Sequence, residues 1–178
     1  VERHHAATTV DPLTGIANRR GYERMIDRQG SGMPTIGAVM MIDLDHFKNI
    51  NDQHGHAIGD AVLVATALSI ERGCSGFGQV ARLGGEEFAV LVNQTHRDAA
   101  EHLAQLLKSA IAAMRLDQPL ETICFTASIG GALLAEDESV GNAMRRADMA
   151  LYKAKNVGRN RVEMAPDAPS SSKLLVAA

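Results

Sequence analysis

Cysteine is nearly missing: the 178 residues contain two, Cys74 and Cys124, and no CxxC pair. Two lone thiols cannot build the multi-bridge framework of a small secreted domain, so a disulfide scaffold is excluded and both read as core or surface thiols in a reducing compartment. Aromatics are scarce, 3% with no Trp, which removes the stacking platforms that a single-strand RNA binder needs. A basic excess is missing too: 18 Lys and Arg stand against 21 Asp and Glu, a formal charge of −3, which disfavours tracking of phosphate backbones. No apolar run approaches the roughly 20 residues of a membrane-spanning helix, and the first residues, VERHHAATTV, lack the charged-then-apolar order of a signal peptide. These absences predict a soluble, cytoplasmic chain with no nucleic-acid partner and no membrane contact of its own.

What is present suits one domain. Hydrophobic residues make up 46% of the chain, enough to fill a core at this size without cross-links. Residues 1–10 are polar and read as a linker or the end of an upstream signalling helix. Because the chain begins at Val1 rather than Met, an upstream sensor domain is expected in a longer protein. Asp11-Pro12-Leu13-Thr14-Gly15 holds two breakers and predicts a turn that opens a domain over 11–164.

Periodicity then orders the elements. Residues 18–28 can run as a short helix before Gly30, Gly32 and Pro34 interrupt it. Residues 36–42 are apolar at almost every position, the pattern of a central strand covered on both faces, and the run stops at Asp43. After a polar segment over 45–56, Ile58, Ala61, Val62, Ala65 and Leu68 recur at helical spacing up to Gly73. Runs over 78–83 and 86–92 flank Gly84-Gly85, a dipeptide that two-residue hairpin turns favour. Ala100, Leu103, Leu107, Ile111 and Met114 mark another helix, and Ile123, Phe125, Ala127 and Ile129 alternate with small polar residues as in a strand. A last helix carries Val140, Met144, Ala147, Leu151 and Ala154, ends around Gly158, and precedes a short strand over 161–164. The tail from Ala165 is rich in Pro and Ser and is expected to be disordered. The order predicts an α/β fold with a mixed sheet of about five strands, an antiparallel hairpin at its heart, and flanking helices.

Several side chains carry possible chemistry. Asp43 ends the buried strand, where α/β sheets bind ligands, although a lone Asp there, or Asp45, serves equally as a helix cap. Glu86 and Glu87 directly follow the glycine pair, and two adjacent carboxylates at a tight turn repel each other unless a cation such as Mg²⁺ or solvent relieves them. An EF-hand is excluded because Phe47 and Lys48 stand where that loop needs an oxygen ligand and a glycine. Zinc has no second pair to complement His54 and His56. Lys155 and Arg159 flank a helix end, where they either offset the helix dipole or grip phosphate oxygens.

The segments DPLTGIANRR, IDLDHFKNIND with GHAIGD, RLGGEEF, and ADMALYKAKNVGRN together resemble, in order and spacing, the GGDEF family of diguanylate cyclases in its GGEEF variant. The resemblance covers 11–164. It implies a palm-like α/β fold of the nucleotidyl-cyclase type that condenses two GTP into cyclic di-GMP and pyrophosphate, using Mg²⁺ or Mn²⁺, two ions per active site. Asp43 and Glu87, with the Leu44 carbonyl, match the metal ligands, and Glu86 matches the first acidic residue of the signature, whose role as ligand or as proton acceptor stays open. Asn51 and Asp60 match the guanine-reading pair. Lys155 and Arg159, and the backbone near His46 and Phe47, match the phosphate contacts, with Lys48 in the same segment. Gly84 and Gly85 would let the hairpin approach the nucleotide. A two-fold product implies a C2 homodimer, each copy holding one GTP. Where many members carry an RxxD product site, this chain has Ser75 and Gly78, so feedback inhibition through that site is expected to be absent. The alternative within the family is a regulatory module that binds GTP without turnover.

Overall fold

The apolar run before Asp43 becomes β1 (Ile36–Leu44), the middle strand of the sheet. The computed structural model describes residues 8–29, 32, 35–93, 96–117 and 120–168. Around β1 lie α1 (Arg19–Asp27), α2 (Phe47–His54), α3 (His56–Gly73), β2 (Gly78–Gly84), β3 (Glu87–Asn93), α4 (Arg97–Ala113), β4 (Ala127–Leu133), α5 (Val140–Asn156) and β5 (Val162–Met164). The strands form one five-stranded mixed sheet in the order β2-β3-β1-β4-β5, antiparallel except for the parallel β4–β5 pair. The α/β architecture is as predicted. The hairpin β2–β3, however, makes one side of the sheet, with β2 at the edge and β1 in the centre.

Both faces of β1 are covered, which is why its sequence does not alternate. Ala38, Met40, Ile42 and Leu44 join the core under α2, α3 and α4. Val39 and Met41 join a second core under α1 and α5. Each fully buried aliphatic side chain here contributes about 1.5–3 kcal/mol. The seam between α5 and β4 is built from small residues: Ala143, Ala147 and Ala154 are fully buried, and a Cβ added to Gly130 would lie 2.1 Å from the Ala147 carbonyl oxygen. Helix starts follow side-chain caps where these exist. Asn18 accepts from the Gly21 amide at the start of α1, and Ser139 accepts from the Asn142 amide at the start of α5.

Four boundaries differ from expectation. The polar segment over 45–56 contains α2, which buries only Phe47 and Ile50 and starts without a side-chain cap, so neither periodicity nor capping signalled it. The strand expected over 123–129 begins at Ala127 and runs on through Gly130 and Gly131, because its ladder partner β1 ends at Leu44, opposite Ala127. The hairpin turn is Gly85-Glu86, one residue later than expected, since Gly84 pairs with Glu87 across the ladder. Ala165 is buried and donates its N–H to the Gly131 carbonyl, so the packed chain passes the expected limit at 164. Residues 1–7 of the linker and 169–178 of the tail lie outside the described residues. Among the thiols Cys74 is buried and Cys124 exposed, and no described helix is long and apolar enough to cross a membrane.

Arg146 locks the far end of β4. Its guanidinium binds both carboxylate oxygens of Glu138 and the Leu133 and Pro166 carbonyls. The Arg146 hydrogen bonds hold Glu138 below its ordinary 4.5, against a smaller opposing push from burial. A depressed carboxylate stabilises the fold above its unfolded pKa and loses that contribution as pH falls through the folded value. Acid titration of thermal stability should therefore show a loss below pH 4.5 that Glu138→Gln lacks. Parallel curves for the two proteins would remove this ion pair as the cause.

Candidate functional site

Register decides which acidic residue joins Asp43. Asp43 lies directly opposite Glu87 in the antiparallel β1–β3 ladder, and directly opposed residues present their side chains on the same face, with Cβ atoms about 4.5–5.5 Å apart. Glu86 is instead a turn residue, and its carbonyl accepts from the Leu44 amide at 3.4 Å. The turn has Gly85 at φ +49 and Gly84 at φ +153, conformations that a side chain would resist. Arg82 braces it from below, donating to the Gly85 carbonyl at 2.9 and 2.8 Å and to Asp11 at 3.1 Å. Asp11 also accepts the amide and hydroxyl of Thr14, so the turn that opens the domain is fastened to the hairpin.

Two like charges directly opposite each other destabilise a ladder, and a cation offsets them here. Lys155 Nζ, from the last turn of α5, lies 2.8 Å from Asp43 Oδ2. Burial pushes the Asp43 carboxyl above its ordinary value, the Lys155 hydrogen bond and charge pull it back, and Glu86 and Glu87 push it up again. Asp148, two helical turns before Lys155 on α5, belongs to the same field: burial raises it first, Glu87 raises it further, and Arg19 and Lys155 oppose the rise. Among the described residues no group of three His, Cys, Asp or Glu side chains converges on one point. A cation here would thus have two protein carboxylates and would complete its shell from other oxygens, the usual arrangement for Mg²⁺ beside phosphates.

A second cluster sits where α2 meets α3. Asn51 Oδ1 is buried without a hydrogen-bond partner, an uncommon condition that costs stability unless a ligand supplies a donor. Gly59 makes room for it: a Cβ at that position would stand 1.8 Å from Asn51 Oδ1. Asp60 follows, exposed in the second turn of α3. The start of α2 is reached through His46 in the left-handed region, φ 54. Its first-turn amides at Phe47 and Lys48 have no intrahelical acceptor, as at any helix start. His46 and Lys48 are exposed and Phe47 is buried. Arg159 lies just beyond α5, exposed, with φ 61.

Two clefts adjoin these clusters. One of 770 Å³ lies between α1 and the hairpin turn, bordered by Arg19, Arg20, Arg82 and Gly85. Another of 620 Å³ lies behind α2, bordered by Asn49, Gln53, Cys124 and Thr126. Neither is lined by Asp43, which is buried, or by Glu87, which is exposed. Ser75 is an exposed turn residue and Gly78 opens β2, where a Cβ would come 2.5 Å from the Leu91 carbonyl oxygen. Residue order had not singled out Arg82, Asp148, Thr126 or Ser128. Arg82 and Asp148 lie inside the quoted motif segments, the only signal that could have found them.

These features define an α/β domain whose sheet ends in an acidic pair, a paired lysine and a helix start. A family model described as diguanylate cyclase, GGDEF domain, matches residues 8–161. Diguanylate cyclase DgcP of Pseudomonas aeruginosa is 36% identical over 167 residues, 92% of this chain and 25% of its own length. Diguanylate cyclase DgcM of Escherichia coli K12 is 39% identical over 156 residues, 85% of this chain and 37% of its own. The GGDEF domain of DgcB from Caulobacter crescentus, solved in complex with c-di-GMP, superposes with a TM-score of 0.80 at 33% identity, covering 89% of this chain and 94% of that one. The chain belongs to the GGDEF domain family of diguanylate cyclases. It spans well under half the length of the two curated relatives.

Proposed function

We propose that this domain binds GTP and, facing a second copy, condenses two GTP into cyclic di-GMP. The observation that carries this reading is the Asp43–Glu87 pair, two carboxylates directly opposite each other with Lys155 bound to one of them. Asp43, Glu87 and the Leu44 carbonyl would hold a divalent cation, with Glu86 beside them. The cation, when bound, neutralises charge on the phosphate oxygens and polarises the α-phosphorus. Lys155 would then be free to turn from Asp43 towards the phosphates, where Arg159 and the first amides of α2, including those near His46, Phe47 and Lys48, add their donors. In each of two equivalent steps the 3′-hydroxyl of one GTP gives up its proton, to Glu86 or to water, and its oxygen forms a bond to the α-phosphorus of the other. The bond from that phosphorus to the α–β bridging oxygen breaks, and pyrophosphate leaves.

Asn51 and Asp60 would read the base. The unpartnered Asn51 oxygen accepts an N–H, and a carboxylate accepts from guanine N1–H and its amine, whereas adenine has no N1 donor. Exposed Glu87 and the two-fold product support a half-site that a partner closes, hence a C2 homodimer. With Ser75 and Gly78 uncharged, product feedback at that position is absent.

Gly59→Ala tests the base site. The added methyl displaces the Asn51 carboxamide, while alanine's better helix propensity, about 1 kcal/mol over glycine, offsets the loss of fit. The expected result is a roughly tenfold weaker GTP affinity, about one buried hydrogen bond, with the melting temperature little changed. Undiminished affinity would show that Asn51 does not touch the base.

The function itself is tested by incubating the purified chain with GTP and Mg²⁺ over a range of protein concentrations and separating the products. Cyclic di-GMP formed at a rate that rises faster than protein concentration is expected. GTP binding without product at any concentration would make the domain a regulatory module.

A further inference from the structure

A further carboxylate stands beside the proposed site and takes no part in it. Asp45 follows the Asp43-bearing end of β1, is 6% exposed, and spends its acceptors inside the protein. Oδ1 accepts from Ser128 Oγ at 2.7 Å. Oδ2 accepts from Thr126 Oγ1 at 2.6 Å and from the Asn160 amide at 2.9 Å. The backbone N–H of Asp45 donates to the Thr126 carbonyl at 2.8 Å. One side chain thus joins the end of β1 to the start of β4 and to the turn that follows α5.

The backbone around these contacts is strained. Among the described residues four non-glycines have positive φ, and three of them adjoin Asp45 or its partner: His46 at 54°, Arg159 at 61° and Asn160 at 46°. Non-glycine residues persist in that region only where neighbouring contacts over-determine them. For Arg159 and Asn160 the contacts are the Arg159 amide on the Ala154 carbonyl, 3.0 Å, and the Asn160 amide on Asp45. The first is a helix-end bond of α5. The second reaches across the molecule and ties this turn to Asp45, the residue after the strand that bears Asp43.

We propose that Asp45 is a positioning residue, a buried carboxylate that locks the left-handed Arg159-Asn160 turn to the end of β1 and so fixes the spacing between the two sides of the triphosphate grip. On one side Asp45 leads directly into His46 and the amides of α2. On the other it holds the residue after Arg159. The proposal rests on the reading of the previous subsection, that Arg159 and the start of α2 contact phosphate. Without the carboxylate the Asn160 amide loses its acceptor and the turn relaxes, which swings Arg159 away while leaving the base site at α2–α3 intact. Asparagine at this position can keep the arrangement: its oxygen accepts from Asn160 and Thr126, and its NH₂ donates to a rotated Ser128 hydroxyl.

The test compares the wild-type chain, Asp45→Ala, Asp45→Asn, and a Thr126→Val, Ser128→Ala double variant that removes the carboxylate's hydroxyl partners but spares Asn160. Two readouts are taken: amide hydrogen exchange at Asn160, and Mg²⁺-dependent affinity for 3′-deoxy-GTP, which lacks the attacking oxygen, and for GMP. Asp45→Ala should raise Asn160 exchange at least a hundredfold and weaken 3′-deoxy-GTP at least tenfold, with GMP weakened less than threefold. Asp45→Asn should recover most of both losses, and the double variant should melt earlier yet keep the wild-type ratio of the two affinities. Unchanged Asn160 exchange in Asp45→Ala overturns the proposal, as does an equal loss of both nucleotides. A wild-type chain that binds neither nucleotide overturns the reading of Arg159 as a phosphate contact, and with it the positioning role, whereas failure confined to the variants strikes Asp45 alone.

Discussion

Glu87→Gln is expected to lower cyclic di-GMP formation by about a hundredfold to a thousandfold, the range in which loss of one charge-stabilising group slows such a step. Glutamine keeps the size and the ladder position opposite Asp43 but removes the negative charge that a cation needs. The fold should not suffer. Glu87 is exposed, and its charge opposes Asp43 across the ladder, so neutralising it relieves a repulsion rather than breaking a contact. Turnover, Mg²⁺-dependent GTP binding and melting temperature measured together separate the cases. Near-normal turnover would dismiss Glu87 as a ligand, and a collapse in melting temperature would make its role structural.

Gly130→Ala should be the most destabilising of the small changes. An added Cβ would meet the Ala147 carbonyl oxygen at 2.1 Å, the Leu151 amide nitrogen at 2.3 Å and the Leu151 Cα at 2.8 Å, all of them backbone atoms of α5. A helix backbone cannot swing aside as a side chain does, so α5 must lift from the sheet. The cost is about 3 kcal/mol or more, or a drop of roughly 6–12 °C in melting temperature for a domain of this size. Lys155 rides on α5, and its 2.8 Å contact with Asp43 would be lost with the shift, so activity should fall at temperatures where the variant remains folded. Gly131→Ala is the control. Its Cβ crowds the flexible end of Met164, Sδ at 2.4 Å and Cε at 2.9 Å, while the Val39 carbonyl oxygen lies at an ordinary 3.9 Å, and about 1 kcal/mol is expected. Equal losses at the two positions would mean that backbone proximity is not what keeps residue 130 a glycine.

Residue order made much of this molecule readable, for physical reasons that can be named. β1 was legible because a strand covered on both faces must be apolar throughout, and the hairpin because its glycines mark positive φ. α5 was legible from its stripe of small and apolar residues and the glycine that follows it. α2 was not, since a helix of eight residues that buries two side chains has no period to detect. β4 was misjudged by four residues because alternation over 123–126 looks the same whether or not a partner strand lies alongside, and Gly130 and Gly131 look like breakers until α5 is seen resting on them. The motif segments carried the family, the acidic residues and the basic pair.

Pairing settled the rest. Glu86 and Glu87 are adjacent in the chain, and which of them shares a face with Asp43 depends on a register that a shift of one residue would invert. Asp45 could be read as a helix cap until its hydrogen-bond donors were found 81, 83 and 115 residues away. Local pattern reports what a segment of three to seven residues prefers, so it named the chemistry-bearing side chains and the elements that carry them. Contacts across the chain exist only once those elements meet, and these decided that Lys155 neutralises Asp43, that Gly59 admits the Asn51 carboxamide, and that one buried carboxylate holds the arginine turn against the strand.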